Sequence, residues 1–196
     1  MDTDRLTAID WNTELIDQLD VHWRHQLRPR LDGLTDAEYF WQPVPGCWTL
    51  SRRGESKAPI SAGAGEFTMD YAMPPTDPAP VTTIAWRLAH IIVGLFALRT
   101  ATHFAGPPAD YMTWEYAGTA AEALRQLDEQ HIAWITGVRS LGASELANPA
   151  GPAEGSFADS PFAELVLHIN REVIHHGAEI ALLRDLYCWK GDRDGL

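Results

Sequence analysis

Residues 165–180 read LVLHINREVIHHGAEI, and this stretch decides both the fold and the candidate chemistry. Its apolar residues recur at spacings of three and four, which predicts a helix with one buried face. Successive residues of an α-helix advance by about 100° around its axis. On that wheel His176 lies in the middle of the apolar face and Glu172 at its edge. His168 and His175 lie at the rim, so we expect only Glu172 and His176 to point inwards.

An inward carboxylate and imidazole lose their hydration and need a compensating partner. Glu172 and His176 are four residues apart, so their side chains are neighbours on one helix face. A divalent metal ion accepts both groups, and this spacing allows two metal ligands to share a helix. The same spacing also allows a closed ion pair between the two side chains, which is the alternative interpretation.

A third ligand is predicted from a second apolar segment, since two protein ligands are too few for a metal centre. Residues 84–98 read IAWRLAHIIVGLFAL, which predicts a helix buried on most sides. His90 lies within it, and Gly94 one turn further on would leave room for a ligand or a water molecule. The predicted metal site is therefore His90, Glu172 and His176. Alternatively, His90 is a core histidine with a hydrogen-bond partner.

Four segments have helical periodicity, over about residues 12–31, 83–103, 119–142 and 160–189. Thr119 and Glu122 predict a capping box at the start of the third helix, and Ser160-Pro161 predicts the start of the fourth. The expected fold class is all-α, a four-helix bundle in one domain over residues 1–196.

A long crossover rich in proline, glycine and serine joins the first two helices, over about residues 33–80. A structureless loop of this length is unusual in a compact domain. We therefore expect local structure in it: a helical turn at residues 36–41 and an irregular hairpin around residues 47–50.

Composition restricts the classes of partner. The chain has 27 acidic residues against 15 Lys and Arg, a formal net charge of -12. Such a surface repels phosphate backbones and anionic membranes, so we expect a small-molecule substrate rather than nucleic acid or a membrane. Two distant cysteines, Cys47 and Cys188, indicate neither a disulfide framework nor a thiolate zinc site. The first ten residues lack the features of a signal peptide, which favours a cytoplasmic location.

Two further expectations concern the surface. Exposed faces of the first and third helices could pair in a homodimer. We expect surface positions for the four histidines without a partner at ligand spacing, which are His22, His25, His103 and His131.

The residues from Asn170 to Ile180 resemble the last helix of the DinB/YfiT-like metalloenzyme superfamily. In that family a His-x-x-His-His-x-Gly-Gln pattern supplies two metal ligands four residues apart. The segment from Ile84 to His90 resembles the family's second helix, whose histidine is the third ligand. Together the two motifs and the four-helix layout, with its long crossover, cover nearly the whole chain.

Carried over by position, the resemblance implies metal ligands at His90 and His176. Glu172 stands where the family usually has the remaining histidine ligand, which would shift metal preference because a carboxylate is a harder ligand. Glu179 stands where the family usually has glutamine. His175 matches the first of the paired histidines, which is not normally a ligand.

The resemblance also implies a function. The family includes S-transferases that use low-molecular-weight thiols such as bacillithiol or mycothiol, and a mycothiol-dependent maleylpyruvate isomerase. The expected activity is metal-dependent transfer to a small electrophile through an exogenous thiol, with zinc as first choice and nickel, iron or manganese permitted. His175 or Glu179 would tune the site from beside the ligands. The other hypotheses are a non-catalytic metal- or small-molecule-binding module and a structural Glu172–His176 ion pair.

Overall fold

The computed structural model describes residues 9–191. Its long helices are α1 (Trp11–His22, continuing through Trp23–Leu27 and Arg28–Arg30), α3 (Ile84–Ala89, continuing through His90–Ala97 and Leu98–His103), α4 (Ala120–Arg139) and α6 (Phe162–Gly191). The short helices are α2 (Asp36–Tyr39), α5 (Ala143–Ala147) and the 3₁₀ helix Pro152–Phe157. α1 and α3 each pack against both α4 and α6, so the four long helices form a bundle.

Side-chain caps begin three of the four long helices. Asp10 accepts hydrogen bonds from the backbone N–H groups of α1, and Thr83 accepts one from α3. Thr119 accepts the backbone N–H of Glu122 at 3.2 Å, as the sequence predicts. The reciprocal half of the predicted capping box is not formed, because the Glu122 carboxylate pairs with Arg125 instead.

The fourth helix starts slightly later than predicted. α6 begins at Phe162, whose backbone N–H donates to the carbonyl of Asn148 at 2.8 Å. Pro161 forms an isolated bridge with Pro149 and therefore remains outside the helix. This pairing closes the loop that contains the 3₁₀ helix.

Two π-helical segments interrupt the α-helical hydrogen bonding, at Trp23–Leu27 in α1 and at His90–Ala97 in α3. A π segment changes the angular spacing of side chains, and such segments are frequent at functional sites. His90 is the first residue of the second one. The direction of the His90 side chain therefore depends on this π segment as well as on the α-helical period.

The crossover corrects the all-α prediction. The helical turn is present as α2, but the irregular hairpin is instead a three-stranded antiparallel sheet of β1 (Leu50–Arg52), β2 (Ile60–Ala62) and β3 (Phe67–Tyr71), in the order β1-β3-β2. Strands of three to five residues are too short to show a clear alternation of apolar and polar residues. Leu50 of β1 and Met69 of β3 are nevertheless buried in the core that the four helices share.

The helix α3 is long and apolar enough to cross a membrane by length and composition, over Ile84–His103. However, 67% of its most apolar window is buried inside the protein. Its apolar character is therefore that of the central core helix, as expected for a segment apolar nearly all round.

Candidate metal centre

The candidate site lies between α3 and α6, where both predicted motifs meet. Along α6 the exposed fraction of the side chain is 14% for His176, 27% for Glu172, 42% for His168 and 61% for His175. This order confirms the orientation that the helical wheel predicts. His176 and Glu172 face inwards, and the other two histidines lie at the rim.

The imidazole of His176 lies between two carboxylates. Its Nδ1 is 2.7 Å from Oε2 of Glu179, and its Nε2 is 3.7 Å from Oε2 of Glu172. An ionised carboxylate only accepts hydrogen bonds, so Nδ1 carries the proton and donates to Glu179. In the neutral ring Nε2 then has a free lone pair on the side of Glu172.

Arg87 holds Glu179 in this position. Its Nη1 donates to the same Oε2 of Glu179 and lies 3.2 Å from Nδ1 of His176. Burial raises the pKa of Glu179, but the hydrogen bond from His176 and the charge of Arg87 outweigh burial and lower it below its usual value. Glu179 is therefore ionised at neutral pH and serves as the shared acceptor. Sequence reasoning missed Arg87, although a cation one turn before His90 in an apolar helix was a signal.

His90 contacts His176 from the neighbouring helix. The two rings meet edge to face with centroids 4.9 Å apart, and the ring of Trp86 stacks on His90 at 5.6 Å. Nδ1 of His90 lies 2.8 Å from the hydroxyl of Tyr111. Trp86 is itself fixed by a 2.8 Å hydrogen bond from its Nε1 to the carbonyl oxygen of Asp70 in β3. The sheet of the crossover thus helps to position the site.

The surroundings of His90 keep its ring neutral. Burial, which is the largest cause, and the charges of His176, Arg87 and Arg99 together lower the pKa of His90 to about 4, against the opposing charge of Glu179. Burial likewise raises the pKa of Tyr111 to about 12, so the phenol keeps its proton. A neutral imidazole is the form that binds a metal ion.

Tyr111 fills the space beside Gly94. A Cβ built on Gly94 would overlap the hydroxyl of Tyr111 and would lie 3.1 Å from Nδ1 of His90. The expectation that Gly94 leaves room for a ligand or water is therefore wrong, because the loop after α3 inserts a phenol there. Only the tertiary structure reveals this partner, 21 residues beyond His90.

The contacts join the predicted ligands in pairs. The structure brings His90 to His176 and His176 to Glu172, whereas it shows no direct contact between His90 and Glu172. Within residues 9–191, a different group of three side chains has the spacing of a metal site. It consists of His175, His176 and Glu179, whose ligand atoms all lie within 4.8 Å of one another. This group shares His176 with the predicted triad, which stays a prediction.

The two carboxylates differ in their partners. Glu179 is neutralised by Arg87, so a cation bound there would compete with a guanidinium already in place. The ionic contacts of Glu172 are longer, at 3.6 Å to Arg171, 3.7 Å to His176 and 3.8 Å to His168. The Glu172 carboxylate and the Nε2 lone pair of His176 are both acceptors, so only a proton or a cation satisfies them together. This donor set fits a divalent metal ion.

Two histidines expected at the surface are inside. His131 is 6% exposed, and its ring stacks flat on Trp23 with centroids 3.7 Å apart. The side chain of His103 is 9% exposed, and its Nε2 lies 2.9 Å from Oε1 of Glu154. Both predictions were wrong because their partners come from distant segments, which ligand spacing along one helix does not reveal.

The sequence also matches a known family. The family model described as the DinB superfamily matches residues 18–180, which include both α3 and most of α6. The chain belongs to the DinB superfamily. The matched range of this DinB protein holds His90, Glu172 and His176, and the superfamily is associated with metal binding. Searches of curated proteins and of solved structures found no match.

Proposed function

We propose that this DinB protein is a metal-dependent transferase that joins a small-molecule thiol to a small electrophile, with His90, Glu172 and His176 as the metal ligands. The observation that carries the proposal is the position of His176. Its Nε2 faces Glu172 at 3.7 Å, and its ring lies against His90. A divalent ion held there lowers the pKa of a bound thiol or water and so supplies a nucleophile near neutral pH.

The side chains around the ligands select their tautomers. Glu179 accepts the Nδ1 proton of His176 and leaves Nε2 free. The phenol oxygen of Tyr111 would accept the Nδ1 proton of His90 and leave its Nε2 free in the same way. Such outer partners orient metal-binding histidines and raise their basicity. Arg87 keeps Glu179 charged and in place.

The ligand set favours zinc, and nickel, iron or manganese also accept two imidazoles and a carboxylate. Glu172 is proposed as the carboxylate ligand rather than Glu179, because Arg87 already neutralises Glu179. His175 is proposed to remain outside the ligand set, since its side chain is 61% exposed.

The second candidate is a non-catalytic metal-binding module. It is favoured by the engagement of Glu179, the carboxylate nearest to His176, with both Arg87 and Nδ1 of His176. A carboxylate bound in this way is not free to take a proton from a substrate. This module would bind the metal and a small molecule without turnover.

The first test is metal content. Protein purified without chelator, and protein stripped and then titrated with zinc, should bind one equivalent. Glu172→Gln and His176→Ala should abolish this binding. His175→Ala is the matched control, since it removes a neighbouring imidazole and should leave the stoichiometry unchanged. Loss of zinc in His175→Ala with retention in Glu172→Gln would move the site to His175, His176 and Glu179. Absence of metal in every preparation would reject both candidates.

The second test separates an enzyme from a binding module. The zinc-loaded protein is mixed with a low-molecular-weight thiol and a chlorinated aromatic acceptor, and conjugate formation is followed. Conjugation that His90→Ala abolishes supports the transferase. Zinc binding without conjugation, over a panel of thiols, supports the module.

A further inference from the structure

A cavity of about 630 Å³ lies beside the first half of α6. One wall is α6 between Glu164 and Arg171, and the opposite wall is the loop with the 3₁₀ helix Pro152–Phe157. The backbone N–H of Gly151 donates to the carbonyl of Ala158 at 2.9 Å, which closes the base of this loop. The volume is within the range of small-molecule sites.

A buried ionic cluster attaches the loop to α3. Glu154 is 8% exposed and places Oε1 2.9 Å from His103 and Oε2 3.2 Å from Arg99. This carboxylate is therefore already occupied by two donors from the bundle. It fixes the cavity wall and adds no free negative charge to the lining.

The α6 wall supplies hydrogen-bond donors, and Arg171 directs its Nε to the carboxylate of Glu172 at 3.6 Å. Nη2 of Arg171 lies 2.8 Å from Nδ1 of His168. A guanidinium only donates, so Nδ1 of His168 accepts and its Nε2 carries a proton. Arg171, His168, Ser156 and Ser160 line the same cavity, and each carries an N–H or O–H donor. Glu164 is the other carboxylate of the lining, and it is at an exposed position.

The rest of the lining is largely apolar. Leu165 and Ala150 are buried, while Leu167 and Phe157 are exposed. An apolar wall therefore lies beside a guanidinium, in a chain with a formal net charge of -12. Such a combination is complementary to an organic anion, because guanidinium binds carboxylate through paired N–H groups.

We propose that this cavity binds a small carboxylic acid with an apolar body, its carboxylate on Arg171 and His168 and its body against Leu165 and Phe157. The cavity adjoins the candidate metal centre, since Nε of Arg171 is 3.6 Å from Glu172. The bound acid would also be the electrophile of the transferase, and this additional step rests on the proposed function. Binding of the acid itself needs no metal.

The test uses the full chain treated with chelator and titrated with 2-naphthoate, followed by calorimetry. The neutral analogue 2-naphthamide has the same apolar body, and we expect it to bind about tenfold more weakly, the cost of one charge-assisted pair. Arg171→Gln should weaken naphthoate about tenfold and leave naphthamide unchanged. Arg125→Gln is the matched control, an exposed arginine on α4 bound to Glu122 and Glu129.

A second variant tests whether the two compounds bind inside the cavity. Ala153→Trp fills it from an exposed position of the loop and should abolish binding of both compounds without changing zinc content. Equal affinities for naphthoate and naphthamide, or naphthoate binding that survives Ala153→Trp, would overturn the proposal. Naphthoate binding by a protein that takes up no zinc would reject the metal centre and leave this site standing.

Discussion

The position of one proton on His176 determines which nitrogen of its ring has a lone pair for a cation. Glu179 accepts that proton at Nδ1, so the lone pair of the neutral ring is at Nε2, on the side of Glu172. Arg87 contributes by keeping Glu179 ionised. At this scale the candidate chemistry depends on three side chains whose charges and proton positions are mutually consistent.

Replacing Glu179 by glutamine tests this arrangement. The amide oxygen still accepts from Nδ1, but the charge opposite Arg87 is lost, and outer partners of this kind contribute about 10–100-fold to metal affinity. We expect zinc affinity of Glu179→Gln to fall within that range, measured by competition with a chelating dye. Glu129→Gln, an exposed carboxylate of α4, is the control and should bind zinc like the wild type. Complete loss of zinc would instead make Glu179 a ligand.

His131 supports a prediction about pH. Burial lowers the pKa of His131 from its ordinary value of 6.5 to about 4. The unfolded chain therefore takes up a proton before the folded one as pH falls below 6.5, so stability is lost between about pH 6.5 and 4. Over this pH range the free energy of unfolding falls by about 3 kcal/mol, which is the energy equivalent of the pKa shift.

The variant His131→Phe should lack this pH-dependent loss of stability, and it should keep the stack on Trp23. Denaturant unfolding of both proteins is compared from pH 8 to pH 4. Their difference in stability should be constant above pH 7 and should shift in favour of the variant below it. Parallel pH profiles would contradict the assignment.

At the scale of elements, α3 is the piece on which the site depends. Its π segment starts at His90, and one turn later Gly94 admits the phenol of Tyr111 to Nδ1 of His90. The helix itself was predictable, because its apolar composition is a local property. The π segment and the inserted phenol were not, since neither leaves a periodic signal in the sequence.

The close approach at Gly94 is testable by adding one methyl group. Gly94→Ala places a Cβ in the volume of the Tyr111 hydroxyl, so the phenol must move away from His90. We expect a loss of stability of about 1–3 kcal/mol from the forced displacement and zinc affinity lowered about tenfold. Thermal unfolding and zinc competition measure the two effects.

Tyr111→Phe separates the hydroxyl from the packing. It keeps the ring beside Gly94 and removes only the partner of Nδ1. Its zinc affinity should fall as far as that of Gly94→Ala, with a smaller loss of stability. Unchanged zinc affinity in both variants would show that Tyr111 does not orient His90.

At the scale of the whole molecule, a metal ion held between α3 and α6 should stabilise the bundle by mass action. Ligand at 100 times its dissociation constant adds about 2.7 kcal/mol to the free energy of unfolding. For a chain of this size that raises the Tm by about 5–10 °C. Scanning calorimetry with zinc and with chelator checks this, and His90→Ala should show no such rise. Equal Tm values for the wild type in both conditions would favour the structural ion pair of Glu172 and His176.

The sequence by itself determined the four long helices and the inward side of the fourth, because a period of 3.6 residues is a local property. For the same reason it indicated that Glu172 and His176 share a buried face while His175 does not. The tertiary structure alone decided which groups meet them: Arg87 reaches Glu179 across 92 positions, and Tyr111 reaches His90 from a loop. It also decided the burial of His131 and the small sheet. These contacts depend on how helices and loops pack against one another, and no pattern within a single segment records that packing.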